Sequence, residues 1–330
     1  MKETIILNQS EIKELIQMKK VIDAVETAYI EHAQSRVRMP PKEYLFFTEF
    51  NGDLRIMPCY LPNMGESGVK CVNVHPDNPN LHDLPTVMAM IELVDPGTGF
   101  PLAIMDGTWI TNMRTGAAGG VGTKYLARKD SKTLGIIGAG KQAYTQLMAI
   151  NEVMDIQEAY VYCRTCKARE NFAKRVSEEY GIQVKAVDEP KKAVENMDVV
   201  VTVTPVIHPV IKSEWISPGT HINAMGADAP GKQEIESSAL LKSKIFIDCW
   251  EQASHSGEIN VPVAAGILKQ EDLSGKLGDV MIGKNPGRTS DEEITIFDST
   301  GLAVQDITTA WTVYEKARDL NLGRRINFLE

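Results

Sequence analysis

Cysteine is scarce in this sequence. Its 330 residues include 5, namely Cys59, Cys71, Cys163, Cys166 and Cys249. An odd, sparse set in so long a chain does not make the disulfide framework of a small secreted protein. Long apolar runs are absent as well. None approaches the ~18 residues of a membrane span. The apolar part of residues 1–8 is too short for a signal peptide. A reducing cytoplasm is therefore the expected location. An excess of positive charge is also missing: the formal net charge is -9, which excludes a non-specific binder of nucleic acid or anionic membrane. Small substrates are not excluded, because a basic pocket can sit in an acidic protein. There are no repeats, no low-complexity tracts and no long linker.

What is present is apolar material, 43% of the residues, enough for a sizeable core and for two domains rather than one. The start reads as a strand over 3–7 and one helix over 10–34, with Ser10 as N-cap. Residues 44–102 hold short apolar runs separated by Gly, Pro and Asn, the look of a β-rich unit. Residues 111–127 read as a helix in spite of Gly116, Gly119, Gly120 and Gly122. Glycines lower helix propensity, so their number implies close packing against that backbone. From 134 onward, apolar strands at 134–137, 159–162, 184–187, 199–204, 221–225 and 245–247 alternate with amphipathic helices. That pattern predicts a parallel sheet covered on both faces. Residues 301–321 read as one long helix that packs back on the N-terminal part. The expected fold class is α/β: a Rossmann-type doubly wound parallel sheet over 116–302, plus a β-rich α+β domain built from 1–115 together with 303–330.

Gly138-Ala139-Gly140-Lys141-Gln142-Ala143 follows an apolar strand and opens a helix. In this G-x-G-x-x-A pattern Gly138 permits the tight turn. Gly140 lets a pyrophosphate approach the free N–H groups of the helix start, and Ala143 allows close helix–strand packing. Alone the pattern is weak, but its strand–turn–helix setting points to a dinucleotide. An NAD site usually carries an acidic residue about 20 residues on, against the ribose hydroxyl. Here the second strand ends in Cys163-Arg164-Thr165, without a carboxylate. Arg164 and Thr165 suit a 2′-phosphate, so NADP(H) is favoured over NAD(H). The alternative is that Arg164 is a solvated surface charge and NAD binds without an acidic partner. Cys163 and Cys166 form a C-x-x-C with no second pair to complete a zinc site, so no metal is expected.

Three kinds of residue offer chemistry. Lys70 lies in an alternating strand beside Val69, Cys71 and Val72. A lysine desolvated by apolar walls has a lowered pKa and can serve as acid or base; a surface strand lysine is the commoner case. Asp228 follows a strand end and a glycine, where ligands collect in open α/β sheets. It is a candidate general acid/base, or else an Asx-type loop cap. Lys42, Arg55 and Arg114 are candidates for gripping a substrate carboxylate, a task suited to the planar donor fork of arginine. His75, before Pro76, reads as structural, and Glu258 receives no role.

Several runs together resemble the ornithine cyclodeaminase/μ-crystallin family. They are Gly68-Val69-Lys70-Cys71-Val72-Asn73-Val74-His75-Pro76, Asn112-Met113-Arg114-Thr115-Gly116-Ala117-Ala118, Asn223-Ala224-Met225-Gly226-Ala227-Asp228-Ala229-Pro230-Gly231-Lys232 and Thr295-Ile296-Phe297-Asp298-Ser299-Thr300-Gly301. They stand in the family's order and span nearly the whole chain. Met39-Pro40-Pro41-Lys42, Leu54-Arg55-Ile56-Met57-Pro58, Arg114 to Gly120 and Gly257-Glu258-Ile259-Asn260-Val261 resemble its archaeal-type alanine dehydrogenase branch.

The resemblance implies an NAD(P)-dependent oxidoreductase acting on the CH–NH2 group of a small amino acid, L-alanine to pyruvate and ammonia first. It also implies a homodimer joined through β-structure of the substrate domain, with a small amino or imino acid as the other partner. Lys70 and Asp228 fall on its catalytic lysine and aspartate. Thr86, Arg114, Gln142, Lys232 and Ser299 match cofactor contacts, and Thr300 a substrate contact. The expected cofactor set further includes Lys141, Thr202, Met225 and Gly226. Two departures matter. Arg55 replaces the acidic residue of the true cyclodeaminases, which weakens ornithine as substrate. Arg164 replaces the acidic residue of the alanine dehydrogenase branch. The alternatives are a cyclic imine (ketimine or pyrroline-2-carboxylate) reductase, an ornithine cyclodeaminase, and a non-catalytic NADP-binding crystallin-like protein.

Overall fold

The computed structural model describes residues 3–328. The chain begins with β1 (Thr4–Leu7), α1 (Gln9–Leu15) and α2 (Met18–Ala33). It continues through β2 (Glu43–Phe47), β3 (Gly52–Leu61), β4 (Glu66–Val74), the single turn α3 (Asn78–Leu81), β5 (Val87–Val94) and β6 (Pro101–Asp106). Helix α4 (Gly107–Leu126) leads into β7 (Thr133–Ile137), α5 (Lys141–Val153), β8 (Glu158–Tyr162), α6 (Cys166–Tyr180), β9 (Gln183–Ala186), β10 (Val199–Thr202) and β11 (His221–Ala224). Then come α7 (Ser237–Leu240), β12 (Lys244–Ile247), α8 (Trp250–Ser256), α9 (Asn260–Ala264), β13 (Gly275–Lys276), α10 (Leu277–Met281), β14 (Thr295–Asp298), α11 (Ala303–Asp319) and β15 (Arg324–Ile326). No described helix is long and apolar enough to cross a membrane.

Two compact units result. Residues up to Arg114, with those from Leu302 on, form the first; Thr115–Gly301 forms the second. Each boundary falls one residue earlier than expected, and residues 1–2 and 329–330 of the expected domain lie outside the described residues.

The first unit is a sheet in the order β15-β1-β6-β5-β4-β3-β2, antiparallel except for the β1–β6 pair. Side chains alternate across it, as the two-residue strand period requires. Met57, Cys59, Leu61, Val72, Ile91 and Leu93 lie on the face covered by α11, which in turn packs on α2, and are buried. On the opposite face Leu45, Ile56 and Met90 are 55%, 39% and 53% exposed.

The second unit is a parallel sheet in the order β13-β12-β14-β11-β10-β7-β8-β9. β10, β11 and β14 are buried along their whole length, as central strands covered on both faces should be, with His221, Asn223, Thr295 and Asp298 among their buried polar members. β7 has β8 on one side and β10 on the other, so the chain reverses direction across the sheet at β7. Ligands of open α/β sheets bind at such a switch point.

Two expectations are corrected. The helix over 10–34 is two helices, and its cap is Asn8, not Ser10. Asn8 accepts the Ser10 and Glu11 N–H groups while Glu11 accepts the Asn8 N–H, a reciprocal capping box. Ile12, Leu15 and Ile16 set one helical phase, and Met18, Val21, Ile22 and Val25 set another. Ile16 is extended between them, which lets both stripes be buried. Helix α4 starts at Gly107 rather than 111, because the Asp106 carboxylate accepts the Trp109 N–H at its first turn. Strand β14 escaped a separate reading because it lay inside a motif run, and β13 and β15 are too short for a periodic pattern.

Candidate active-site residues

In the first unit the alternation of β4 turns Lys70 to the helix-covered face, between Met57 of β3 and Ile91 of β5. It is 1% exposed. Its amine meets the Asp306 carboxylate of α11 at 2.7 Å, and Arg114 Nε donates to the other oxygen of Asp306 at 2.8 Å. Arg114 also donates to Gln305 Oε1 (3.3 Å), and Gln305 in turn donates to the Tyr29 hydroxyl (2.6 Å). Burial pulls the Lys70 pKa down to about 7. Asp306 opposes that shift, while Arg114 and Lys42 add to it. Lys42 is half-buried just before β2.

Arg55 lies on the same sheet face. Its guanidinium makes a two-pronged pair with Asp53 (2.8 and 3.1 Å) and lies over the Tyr44 ring at 5.3 Å. Thr86 precedes β5, half-buried, and its carbonyl accepts the His75 N–H. Asp306 was not anticipated. The signal was a charged residue inside the apolar stripe of a helix, among Val304, Ile307 and Ala310.

In the second unit Gly138 closes the turn after β7 at φ +122°, where a Cβ would stand 2.8 Å from Val203. Gly140 caps α5, and a Cβ there would meet nothing within 4 Å. Open space thus lies before a helix N-terminus, with Ala143 buried behind it and Lys141 exposed. An anion bridging free N–H groups fits this cradle. Arg164 and Thr165 are exposed in the turn after β8.

Thr202, Met225, Gly226, Asp228, Ser299 and Thr300 all stand at or just beyond the carboxyl ends of strands. The half-buried Asp228 pairs with Lys232. Gln142 sits in the first turn of α5 beside the Thr145 hydroxyl. Ser299 and Thr300 both donate to Asp248, which also accepts the N–H groups of Thr300 and Gly301. Asp248 was missed too, although it follows an apolar strand just as Asp228 does. Of the C-x-x-C cysteines, Cys163 donates to the Thr165 carbonyl and Cys166 to the Glu170 carboxylate.

Lys70 and Arg114 thus share the buried Asp306 carboxylate in the first unit, and the G-x-G turn opens α5 in the second. A model of the Ornithine cyclodeaminase/mu-crystallin family matches residues 2–321. The chain belongs to the ornithine cyclodeaminase/mu-crystallin family. Within the family it is 51% identical to the alanine dehydrogenase of Archaeoglobus fulgidus over 99% of both chains. A solved archaeal alanine dehydrogenase dimer with bound NAD superposes with a TM-score of 0.95, at 50% identity, covering 99% of this chain and 100% of that one. The Delta(1)-pyrroline-2-carboxylate reductase of Thermococcus litoralis, solved with NADH and L-proline, also gives 0.95, at 40% identity over 98% and 100%.

Proposed function

We propose that this chain is a nicotinamide-dependent alanine dehydrogenase that interconverts L-alanine with pyruvate and ammonia. The 51% identity across 99% of both chains to the Archaeoglobus enzyme carries the reading. The first unit supports it. Lys70 and Arg114 share one buried carboxylate, Asp306, with Lys42 close enough to press on the Lys70 charge. A cluster with more cations than anions suits a small carboxylate substrate. The second unit supports it with the open cradle at Gly140.

Gly138, Gly140, Lys141 and Gln142 would hold the cofactor's pyrophosphate, and Arg164 and Thr165 the adenosine end. Thr202, Met225, Gly226, Lys232, Ser299, Thr86 and Arg114 would hold the rest. A bound nicotinamide would supply the acceptor or donor of hydride for the α-carbon of the amino acid. The protein's own residues do the remainder. Lys42, Arg55 and Arg114 hold the carboxylate, with Thr300 as a further substrate contact. Asp228 takes the proton from the water that adds to the iminium carbon, and Lys70, poised near neutrality, stabilises the charge that develops. Ammonia and the 2-oxo acid leave.

Arg164 and Thr165 support NADP(H), whereas the two solved relatives carry NAD and NADH. The uncovered apolar face of the first sheet, with Leu45, Ile56 and Met90, supports a homodimer. The second reading is pyrroline-2-carboxylate reduction, favoured by the 40% identity to the Thermococcus enzyme.

The deciding assay follows absorbance at the reduced-nicotinamide band with pyruvate plus ammonium, comparing NADPH with NADH. Rapid oxidation is the expected result. No oxidation with either, followed by oxidation on pyrroline-2-carboxylate, would overturn alanine in favour of the reductase. Lys70→Ala should abolish turnover while the cofactor still binds, and near-wild-type activity in that variant would remove Lys70 from the chemistry.

A further inference from the structure

The second unit contains three carboxyl groups with no solvent exposure that the proposed chemistry does not use: Glu234, Glu258 and Asp298. A buried carboxyl is costly unless hydrogen bonds replace its water. Here the replacements are backbone N–H groups, arranged in series. Asp298, at the end of β14, accepts the Ile259 N–H (3.1 Å). Glu258 accepts the N–H groups of Glu234 (2.9 Å) and Ile235 (2.6 Å). Glu234 accepts the N–H groups of Thr204 (2.7 Å) and Gly226 (2.9 Å), and the Thr204 hydroxyl (2.6 Å). One residue beyond Ile259, Asn260 Oδ1 accepts the Gly231 N–H (2.8 Å), and its Nδ2 donates to the Lys232 carbonyl (2.8 Å). Gly257 completes the set, because a Cβ there would stand 2.6 Å from an Asp298 oxygen.

These bonds converge on residues 226–235, the loop that carries Asp228 and Lys232. The loop contains no helix or strand of its own. It is held at its start through Gly226, at its turn through Gly231 and Lys232, and at its end through Glu234 and Ile235. The run Gly257-Glu258-Ile259-Asn260, which had no assigned role in the sequence, supplies most of the anchors.

We propose that residues 257–260 position the Asp228 loop, with Glu258 and Asn260 setting where Asp228 and Lys232 stand without touching substrate or cofactor themselves. The inference rests on the reading of Asp228 as the proton-handling group. Burial holds the Glu258 carboxyl well above the ordinary carboxylate range, and the neighbouring Glu234 pushes it the same way. The bonds that tie Glu258 to the loop are all accepted from N–H groups, and glutamine keeps an acceptor oxygen at that position.

The experiment compares Glu258→Ala, Glu258→Gln and Asn260→Ala with the wild-type protein, using steady-state kinetics and amide hydrogen exchange. In the two alanine variants kcat should fall about 10–100-fold, as expected when a reacting group shifts by about an ångström. KM for pyruvate should stay within about twofold, because the carboxylate grip is untouched. Glu258→Gln should recover most of the lost kcat. Exchange at Gly226, Gly231 and Ile235 should quicken in the alanine variants while the β7 and β10 amides keep their protection. Wild-type kcat in both alanine variants would overturn the proposal, as would unchanged exchange across residues 226–235. If Glu258→Ala does not fold, Asn260→Ala carries the comparison, and if Asn260→Ala does not fold, Asn260→Ser replaces it with the same expected fall in kcat. A wild-type protein that turns over neither pyruvate with ammonium nor pyrroline-2-carboxylate defeats the activity reading instead, and the exchange data then decide the anchoring alone.

Discussion

Lys70 is the residue whose surroundings say most about its chemistry. Burial removes water from the ammonium group and favours the neutral form, and Asp306 is the main group that favours the charged form. Replacing Asp306 with Asn should therefore lower the Lys70 pKa below about 7, and the corresponding limb of the kcat/KM–pH profile should move to lower pH. The same change takes the carboxylate away from the buried Arg114, and breaking a buried pair costs about 3–5 kcal/mol. Urea unfolding would measure it. An unmoved limb together with an unmoved midpoint would separate Asp306 from Lys70. The stability linkage has a definite sign. The folded-state pKa of Lys70 lies below its ordinary 10.5, so the unfolded chain binds the extra proton between about 7 and 10.5. The contribution of this group to stability accordingly rises with pH across that window. Lys70 itself was legible as a lysine within an alternating strand. Asp306 was not, because a lone helical aspartate carries no local mark of a partner 192 positions away.

At the scale of elements, the glycines of α4 were legible as a sign of close packing, and the structure supplies the neighbour. A Cβ on Gly116 would stand 2.4 Å from the Thr145 carbonyl of α5, and one on Gly120 would stand 2.9 Å from the Ala149 side chain. Gly116→Ala therefore sets two effects against each other. Helix propensity favours alanine by about 1 kcal/mol, whereas forcing packed backbones apart costs about 1–3 kcal/mol. The clash is with backbone, which cannot turn aside, so the melting temperature should fall; a rise would mean that α5 yields freely. The first helices show what was overlooked. Asn8 and Glu11 stand three apart, the spacing of a capping box, and the apolar phase slips between Ile16 and Met18. Both signals were present, but one long periodic stretch outweighed them. Asn8→Ala should cost about 1 kcal/mol, measurable by thermal or chemical unfolding, since it removes the acceptor for two N–H groups.

For the whole molecule, the proposed dimer depends on the face of the first sheet opposite α11. Ile56→Glu with Met90→Glu would place charge on that face while sparing the covered one. The double variant should sediment as a monomer, and an unchanged sedimentation coefficient would move the interface elsewhere. Class, doubly wound unit, G-x-G turn and cationic candidates were all readable in the chain, because strand period, helix period and turn chemistry are local properties. The partners of the buried charges were decided only in three dimensions. Asp306 between Lys70 and Arg114, Asp248 under Ser299 and Thr300, and Glu258 on the Asp228 loop each answer a need created by folding. A charge or N–H group has to find a partner only once its water is gone, and which groups lose their water is settled by how distant segments pack.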